Sequence, residues 1–574
     1  MNLVPHRQLA AIPLLPSSIQ RSERYNGFTW RAANRGNSVA TRRRSSTGLI
    51  VTVLRWLQLP LFAIAMVSAA VASEKPTLAA EPITHPHTGP AADIARGRLD
   101  VAPGGRYLMY ADGTPFFYLS DTNWELAPRA RREDVEKLFE KRRSQGFTVV
   151  FFPVTGILDG LQFDRPLELK NVYGDLAFHD RDITRPVETD GSDPNDPEAY
   201  DYWDHIDFII DTAAAKGLYV ALLCAWDNHY NSGMLNASNG RAYGRFLGKR
   251  FGRRENLIWV MGGDTAPTHP LRSGIVPKLL HKANDLWSKA TGQEKLEGEF
   301  AGTIGTKVFD EVAMGVRETE AFRHLMTYHT TTALSSSQWF HDRDWLDFNM
   351  SQSGHNSRDN PNYLLVSADY ARRPAKPATD GESRYEGHAV GHDPSKGWFD
   401  DFDVRQASYW ALFAGAHGLV YGNRGVWQMY EPGREKFRPL RNYWYDAMDL
   451  PGAWDMIHVR RLMQSRPFLS RVPDQSLLVH ALSGADHLAA SRGDGYAFVY
   501  TPTGQAIEIV PAALNAKSLN AWWFDPRTGA TERIGSFDGH AATLRFAPPG
   551  EPGRGNDWVL VLDDAAQNFS PPGS

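Results

Sequence analysis

The sequence predicts an α/β fold, a (β/α)8 TIM barrel followed by a C-terminal all-β sandwich domain, on three observations. Short apolar runs at 148–152, 218–224 and 257–261 alternate with amphipathic stretches at 131–145, 202–216 and 241–251, and such alternation implies a parallel sheet. The runs are apolar without a break, as strands buried on both faces are. After Pro467 the texture changes to short alternating runs separated by clusters such as Asp525-Pro526-Arg527-Thr528-Gly529, the pattern of antiparallel strands joined by tight turns.

The elements follow in order. Residues 1–48 carry eight arginines and one acid, Glu23, and 49–72 are mostly apolar. The uninterrupted apolar core, 61–71, is shorter than the ~20 residues a spanning helix needs. It closes on Ala70-Val71-Ala72, a small-x-small cleavage signature. Residues 1–72 therefore read as a basic leader and signal peptide cleaved after Ala72, with the mature chain secreted or periplasmic and without a stable membrane span. An uncleaved membrane anchor is the alternative. Arg42-Arg43-Arg44 permits a twin-arginine signal. Residues 73–98 are Pro- and Ala-rich and read as a linker, 99–466 as the barrel and 467–574 as the sandwich.

Asp112-Gly113 predicts a hairpin between 106–110 and 116–119. Counting 116–119 as the first, eight strands follow, the others at 148–152, 218–224, 257–261, 324–328, 346–350, 377–380 and 418–421. Helices are expected at 131–145, 202–216, 241–251, 276–290, 362–371, 403–415 and 453–465, and a long loop at 153–200. A doubly wound open sheet is the alternative, but its glycine-rich dinucleotide fingerprint is absent. In the sandwich, strands are expected at 496–500, 506–510, 521–524, 542–546 and 558–562.

Composition narrows the chemistry. Net charge is −4 and no basic patch recurs beyond the N-terminus, which argues against a nucleic-acid partner. The single cysteine, Cys224, sits in an apolar run and excludes an intrachain disulfide. No G-x-S-x-G elbow, H-E-x-x-H helix or metal-ligand spacing stands out, so the residues require no cofactor and no metal. Oligomeric state is not legible.

In a barrel, chemistry sits where the strands end. Here every strand exit carries polar or aromatic residues: Asp121 with Trp124, Thr155, Trp226 with Asp227, Asp264, His329, Gln352 with His355, Glu382, and Asn423 with Trp427. Two of them, Asp264 after Gly262-Gly263 and Glu382 after Gly381, are acids placed to face each other. Glycoside hydrolysis needs such a pair, one carboxyl to protonate the leaving oxygen and one to attack or to activate water. Asp121, Trp124, Trp226, His329, Gln352, His355, Tyr385, Glu386 and Trp427 are the candidate substrate-binding residues. Asp121 reads equally as a structural cap, His329 as a structural histidine, and Trp226 and Trp427 as core. Glu386 competes with Glu382 as the second acid, or pairs with Arg384.

Several stretches resemble the apiosidase-like family of glycoside hydrolases: Phe116-Phe117-Tyr118-Leu119-Ser120-Asp121-Thr122-Asn123-Trp124, Ile258-Trp259-Val260-Met261-Gly262-Gly263-Asp264, Thr327-Tyr328-His329 and Asp380-Gly381-Glu382-Ser383-Arg384-Tyr385-Glu386. The stretch from Trp345 to His355, ending in Asn349-Met350-Ser351-Gln352-Ser353-Gly354-His355, adds to them. Trp522-Trp523-Phe524-Asp525-Pro526 and Phe546-Ala547-Pro548-Pro549-Gly550 resemble the small collagen-binding-type β domain often fused to it. The resemblance implies a retaining barrel hydrolase with its acid/base after strand four and its nucleophile after strand seven. Those positions are Asp264 and Glu382. Family members act on apiose linkages in plant pectin, so a secreted hydrolase of oligo- or polysaccharide is the expected activity. Asp264 is one methylene shorter than the Glu the wider clan places there, which leaves inversion open. The alternatives are a non-catalytic carbohydrate- or matrix-binding protein on a barrel scaffold and a glycosidase for another furanoside or pyranoside.

Overall fold

A computed structural model of the chain describes residues 87–158, 169–267 and 297–574. The leader and signal peptide, most of the expected linker and the helix expected at 276–290 lie outside the described residues.

Eight parallel strands form the barrel: β1 (Tyr118–Thr122), β2 (Val149–Pro153), β3 (Tyr219–Leu223), β4 (Leu257–Gly262), β5 (Met326–His329), β6 (Asn349–Gln352), β7 (Ala378–Asp380) and β8 (Gly418–Tyr421). A continuous ladder runs β8-β1-β2-β3-β4-β5, and β6 pairs with β7. Hydrogen bonds outside the regular ladders stitch the two seams. Asp347 N–H donates to Met326 O at 2.7 Å beside β5 and β6, and His417 N–H donates to Ala378 O at 2.9 Å beside β7 and β8. Because β8 also pairs with β1, the cylinder closes.

Successive residues of a strand face opposite sides. Tyr118, Phe151, Tyr219, Ala221, Ile258, Val260 and Val420 therefore pack inside the cylinder. Leu119, Phe152, Leu222, Trp259, Met261, Tyr328 and Leu419 meet the helices outside. Both faces are buried, which is why the strands are written as unbroken apolar runs. The expected hairpin forms, with Leu108 opposite Phe116. The run at 116–119 is split, however: Pro115–Phe116 stays with the hairpin, and the barrel strand begins at Tyr118.

The longer helices among the described residues are α1 (Arg132–Ser144), α2 (Tyr202–Ala215), α3 (Gly240–Phe251), α4 (Glu297–Thr319), α5 (Tyr363–Ala371), α6 (Asp401–Phe413) and α7 (Pro451–Gln464). Asp201 caps α2 by accepting from Trp203 N–H at 2.7 Å and Asp204 N–H at 3.0 Å. Two expectations are corrected. The helix α4 was not foreseen, and β6 lies at Asn349–Gln352 rather than 346–350. Among the described residues no helix is long and apolar enough to cross a membrane.

After the barrel comes an antiparallel sheet of β9 (Ala489–Gly493), β10 (Tyr496–Thr501), β11 (Ser518–Phe524), β12 (Thr531–Asp538) and β13 (Trp558–Asp564), with Val472–Pro473 at one edge. Ile507–Ile509 and Leu544–Phe546 pair as a second small sheet. The strands β9 and β12 were not expected from the sequence.

Candidate active site

The end of β4 turns abruptly. Gly262, Gly263 and Asp264 all have positive φ, at 84°, 124° and 46°. A Cβ on Gly262 would lie 2.3 Å from His329 O, and one on Gly263 would lie 2.5 Å from Ala225 O. Only glycines fit there, and the turn brings the Asp264 N–H onto His329 Nδ1 at 3.1 Å. Asp264 itself is held in the left-handed region, a strain typical of functional turns. Gln352, at the end of β6, donates from Nε2 to Asp264 Oδ1 at 3.2 Å. Burial, then the negative charges of Glu382 and Asp227, push the Asp264 carboxyl well above the usual carboxylate range.

Glu382 leaves β7 through Gly381, whose Cβ would meet Met350 Sδ at 2.5 Å. Its own carbonyl accepts from Gly354 N–H at 2.9 Å, which ties this turn to the loop after β6. Its carboxylate lies between two imidazoles. His355 Nε2 is 3.0 Å from Oε1, and His329 Nε2 is 3.3 Å from Oε2. Since Nδ1 of His329 accepts the Asp264 N–H, the ring hydrogen is on Nε2 and faces Glu382. Burial alone would raise this carboxyl, but the two imidazoles outweigh it and hold it down at about 2. One ring thus touches both residues, and the two acids are pushed in opposite directions.

Aromatic rings wall the same mouth. Trp124 lies 5.0 Å from Trp226 and 5.4 Å from His329, and Trp226 stacks on His329 at 5.8 Å. Tyr385 is 4.5 Å from His355. Trp226 Nε1, Gln352 Oε1, His355 Nδ1 and His388 Nε2 are buried with no hydrogen-bond partner among the described residues. Buried polar atoms are ordinarily satisfied, so a concentration of such atoms around two acids is the arrangement of a pocket that binds hydroxyls.

The family model for the apiosidase-like catalytic domain matches residues 102–470. The chain belongs to the apiosidase-like family. It is a glycoside hydrolase. A second model, described as "Putative collagen-binding domain of a collagenase", matches 472–563. Among solved structures, one described as a glycoside hydrolase is 31% identical, with a TM-score of 0.71 over 83% of this chain and 99% of its own. A glycoside hydrolase family 5 protein from Bacteroides vulgatus is 32% identical, with a TM-score of 0.71 over 84% of this chain and 96% of its own. No curated protein matches the chain.

In this apiosidase-like site, Asp264, Glu382, His329, His355, Gln352, Trp124, Trp226 and Tyr385 come together as described. Trp427 is buried against Phe437 at 6.1 Å, under the Arg424 guanidinium at 5.1 Å. Two expectations are corrected. Asp121 does not face the pocket: strand parity turns it outward with Leu119, and Arg142 Nε on α1 donates to its Oδ2 at 2.7 Å, both side chains fully buried. Glu386 also points away. It accepts from Tyr421 Oη at 2.7 Å and from Gly452 N–H at 3.0 Å at the start of α7, and it does not pair with Arg384.

Sequence reading missed three contributors. Arg424 is buried beside the pocket, with burial and Arg438 drawing its guanidinium down to about 9 while Glu382 opposes them. His388 stacks on His355 at 4.4 Å. His229 fixes the β3 exit, accepting the Trp226 N–H at Nδ1 and meeting Thr155 Oγ1 at 3.0 Å. The signal for His388 and Arg424 was only their closeness in sequence to Glu382 and Asn423. For His229 the signal was its closeness to Trp226 and Asp227.

Proposed function

We propose that this apiosidase-like protein is a secreted or periplasmic retaining hydrolase of pectin-type plant cell-wall glycans that cleaves apiose linkages, with Asp264 as acid/base and Glu382 as nucleophile. The observation that carries the reading is the opposite ionisation of two acids joined by His329: a carboxyl raised well above its usual range beside one held at about 2. A general acid must keep its proton and a nucleophile must have lost it at the same pH. Asp264 gives its proton to the glycosidic oxygen as that C–O bond breaks, and Glu382 attacks the anomeric carbon. Water then attacks the glycosyl-enzyme, its proton passing to the Asp264 carboxylate, and Glu382 leaves. One imidazole reaches the Asp264 backbone N–H and the Glu382 carboxylate, so both acids sit at one mouth, as double displacement requires. The apiose assignment rests on the family, and export on the leader that ends in Ala70-Val71-Ala72.

The test is a screen of the purified mature chain against pectic oligosaccharides, including apiose-bearing ones, and aryl glycosides, with the first-formed anomer followed by NMR. The expected result is release of apiose with retained configuration. An inverted product contradicts the covalent route, and activity confined to other glycosides contradicts the apiose assignment.

A further inference from the structure

The turn that carries Glu382 is tied to the C-terminal sheet domain through the helix α6. Every residue of α6 from Phe402 to Phe413 is buried, because the helix is packed on two sides. Toward the sheet domain, Arg405 makes a two-point contact with Asp557 at 2.9 and 3.0 Å, Tyr409 stacks on Tyr500 at 4.7 Å, and Trp410 Nε1 donates to His487 O at 3.0 Å. Toward the site, Gln406 Oε1 accepts from Arg384 Nη1 at 2.5 Å, and Asp403 Oδ2 accepts from Arg358 Nη1 at 2.6 Å. Arg384 is two residues past Glu382, and Arg358 three past His355. Arg384 Nη1 also donates to Arg358 O, which joins the two turns.

The sheet domain touches the same two α6 residues. Gln406 Nε2 donates to Ala485 O at 3.4 Å. Arg554 reaches Asp403 at 3.0 Å and Asp400 at 2.7 Å. Two routes therefore run from the sheet domain to the turns holding the nucleophile and its histidine: Ala485–Gln406–Arg384 and Arg554–Asp403–Arg358.

We propose that the C-terminal domain is a positioning element for the reaction, and that Gln406 and Asp403 are the positioning residues through which it holds Glu382 against His355. Neither residue touches a reacting atom. Each fixes a guanidinium whose backbone continues into the site, and small misplacements of a reacting group are costly. The proposal rests on the assignment of Glu382 as nucleophile for its kinetic readout only.

The experiment uses the full chain and Arg554→Ala, Gln406→Ala and Gln406→Glu, with Arg533→Ala on the outer strand β12 as control. The Arg554 side chain is 44% exposed and Asp403 keeps Arg358, and circular dichroism checks that the Arg554→Ala fold is native. The expected result for Arg554→Ala is a kcat about 5-fold lower with KM nearly unchanged, the acidic limb of kcat/KM moved to higher pH as His355 loosens from Glu382, and faster amide exchange at 381–386. Gln406→Ala loses about 10- to 100-fold in kcat. Gln406→Glu keeps the acceptor for Arg384 but cannot donate to Ala485 O, so it recovers only part of that loss. Arg533→Ala matches the native chain. Native kcat, acidic limb and exchange in Arg554→Ala and Gln406→Ala would overturn the proposal. If Gln406→Ala does not fold, the other two variants carry the test. Exchange is read without substrate, so a native chain that hydrolyses nothing refutes the glycosidase assignment while exchange still decides the coupling.

Discussion

His329 divides the labour between the two acids. Its Nδ1 is occupied by the Asp264 N–H, so its Nε2 hydrogen goes to Glu382 and favours the ionised form there. The consequence is directional. On the proposed roles, activity should rise with pH as Glu382 ionises at about 2 and fall when Asp264 loses its proton above the usual carboxylate range. Asp264→Ala and Glu382→Ala should each lower kcat/KM by roughly a thousandfold or more while circular dichroism stays native. His355→Asn removes one of the two imidazoles from Glu382, so the acidic limb should move up toward the ordinary carboxylate value; an unmoved limb contradicts the role given to His355. Glu386 makes a separate prediction. Burial raises its pKa from 4.5 to about 7, so the stability this group contributes is full below pH 4.5 and is lost as pH rises through 7. The shift corresponds to about 3 kcal/mol. Glu386→Gln, which keeps partners for Tyr421 and Gly452, should therefore be more stable than the native chain above pH 7 in denaturant titrations. The two acids were legible because each follows a glycine at the end of a short strand. Asp121 was misread because Tyr118-Leu119-Ser120-Asp121-Thr122 has no apolar alternation to show which face each residue takes.

Among the elements, α3, which the sequence showed, and α4, which it did not, pack together through their glycines. Both are rich in glycine, which lowers helix propensity by about 1 kcal/mol per residue. The glycines are there for contact. A Cβ on Gly244 would lie 2.1 Å from Val312 O, one on Gly248 2.6 Å from Val316 O, and one on Gly315 2.2 Å from Arg241 O. The backbones touch, and Arg241 and Arg245 close the seam on Glu318. Gly244→Ala should therefore force the helices apart and cost about 1–3 kcal/mol, seen as a lower Tm, whereas Gly553→Ala, with nothing within 4 Å, should not. Tertiary packing overrode propensity here, and periodicity cannot report that. The strand β12 was missed for the opposite reason: it is an outer strand with no fully buried residue, so it writes no apolar alternation.

At the scale of the whole molecule, the change of texture at Pro467 was legible, but the docking it leads to was not. Arg405 and Asp557 are 152 residues apart, and no local pattern announces their pairing. Arg466 and Asp563 repeat the arrangement with two bonds of 2.8 Å. Charges buried this deeply are costly when one partner is lost, about 3–5 kcal/mol. The native chain should melt in one calorimetric transition. Asp557→Ala should split it, the sheet domain leaving the barrel first; a single unshifted transition would mean that the ion pair does not hold the two together.

The most direct test is an infrared titration of the side-chain carboxyls, assigned by difference against Asp264→Asn and Glu382→Gln. It should find the Glu382 band ionised down to about pH 2 while the Asp264 band stays protonated well above the ordinary carboxylate range. Both bands ionising together near pH 4 would contradict the division of roles between these two residues.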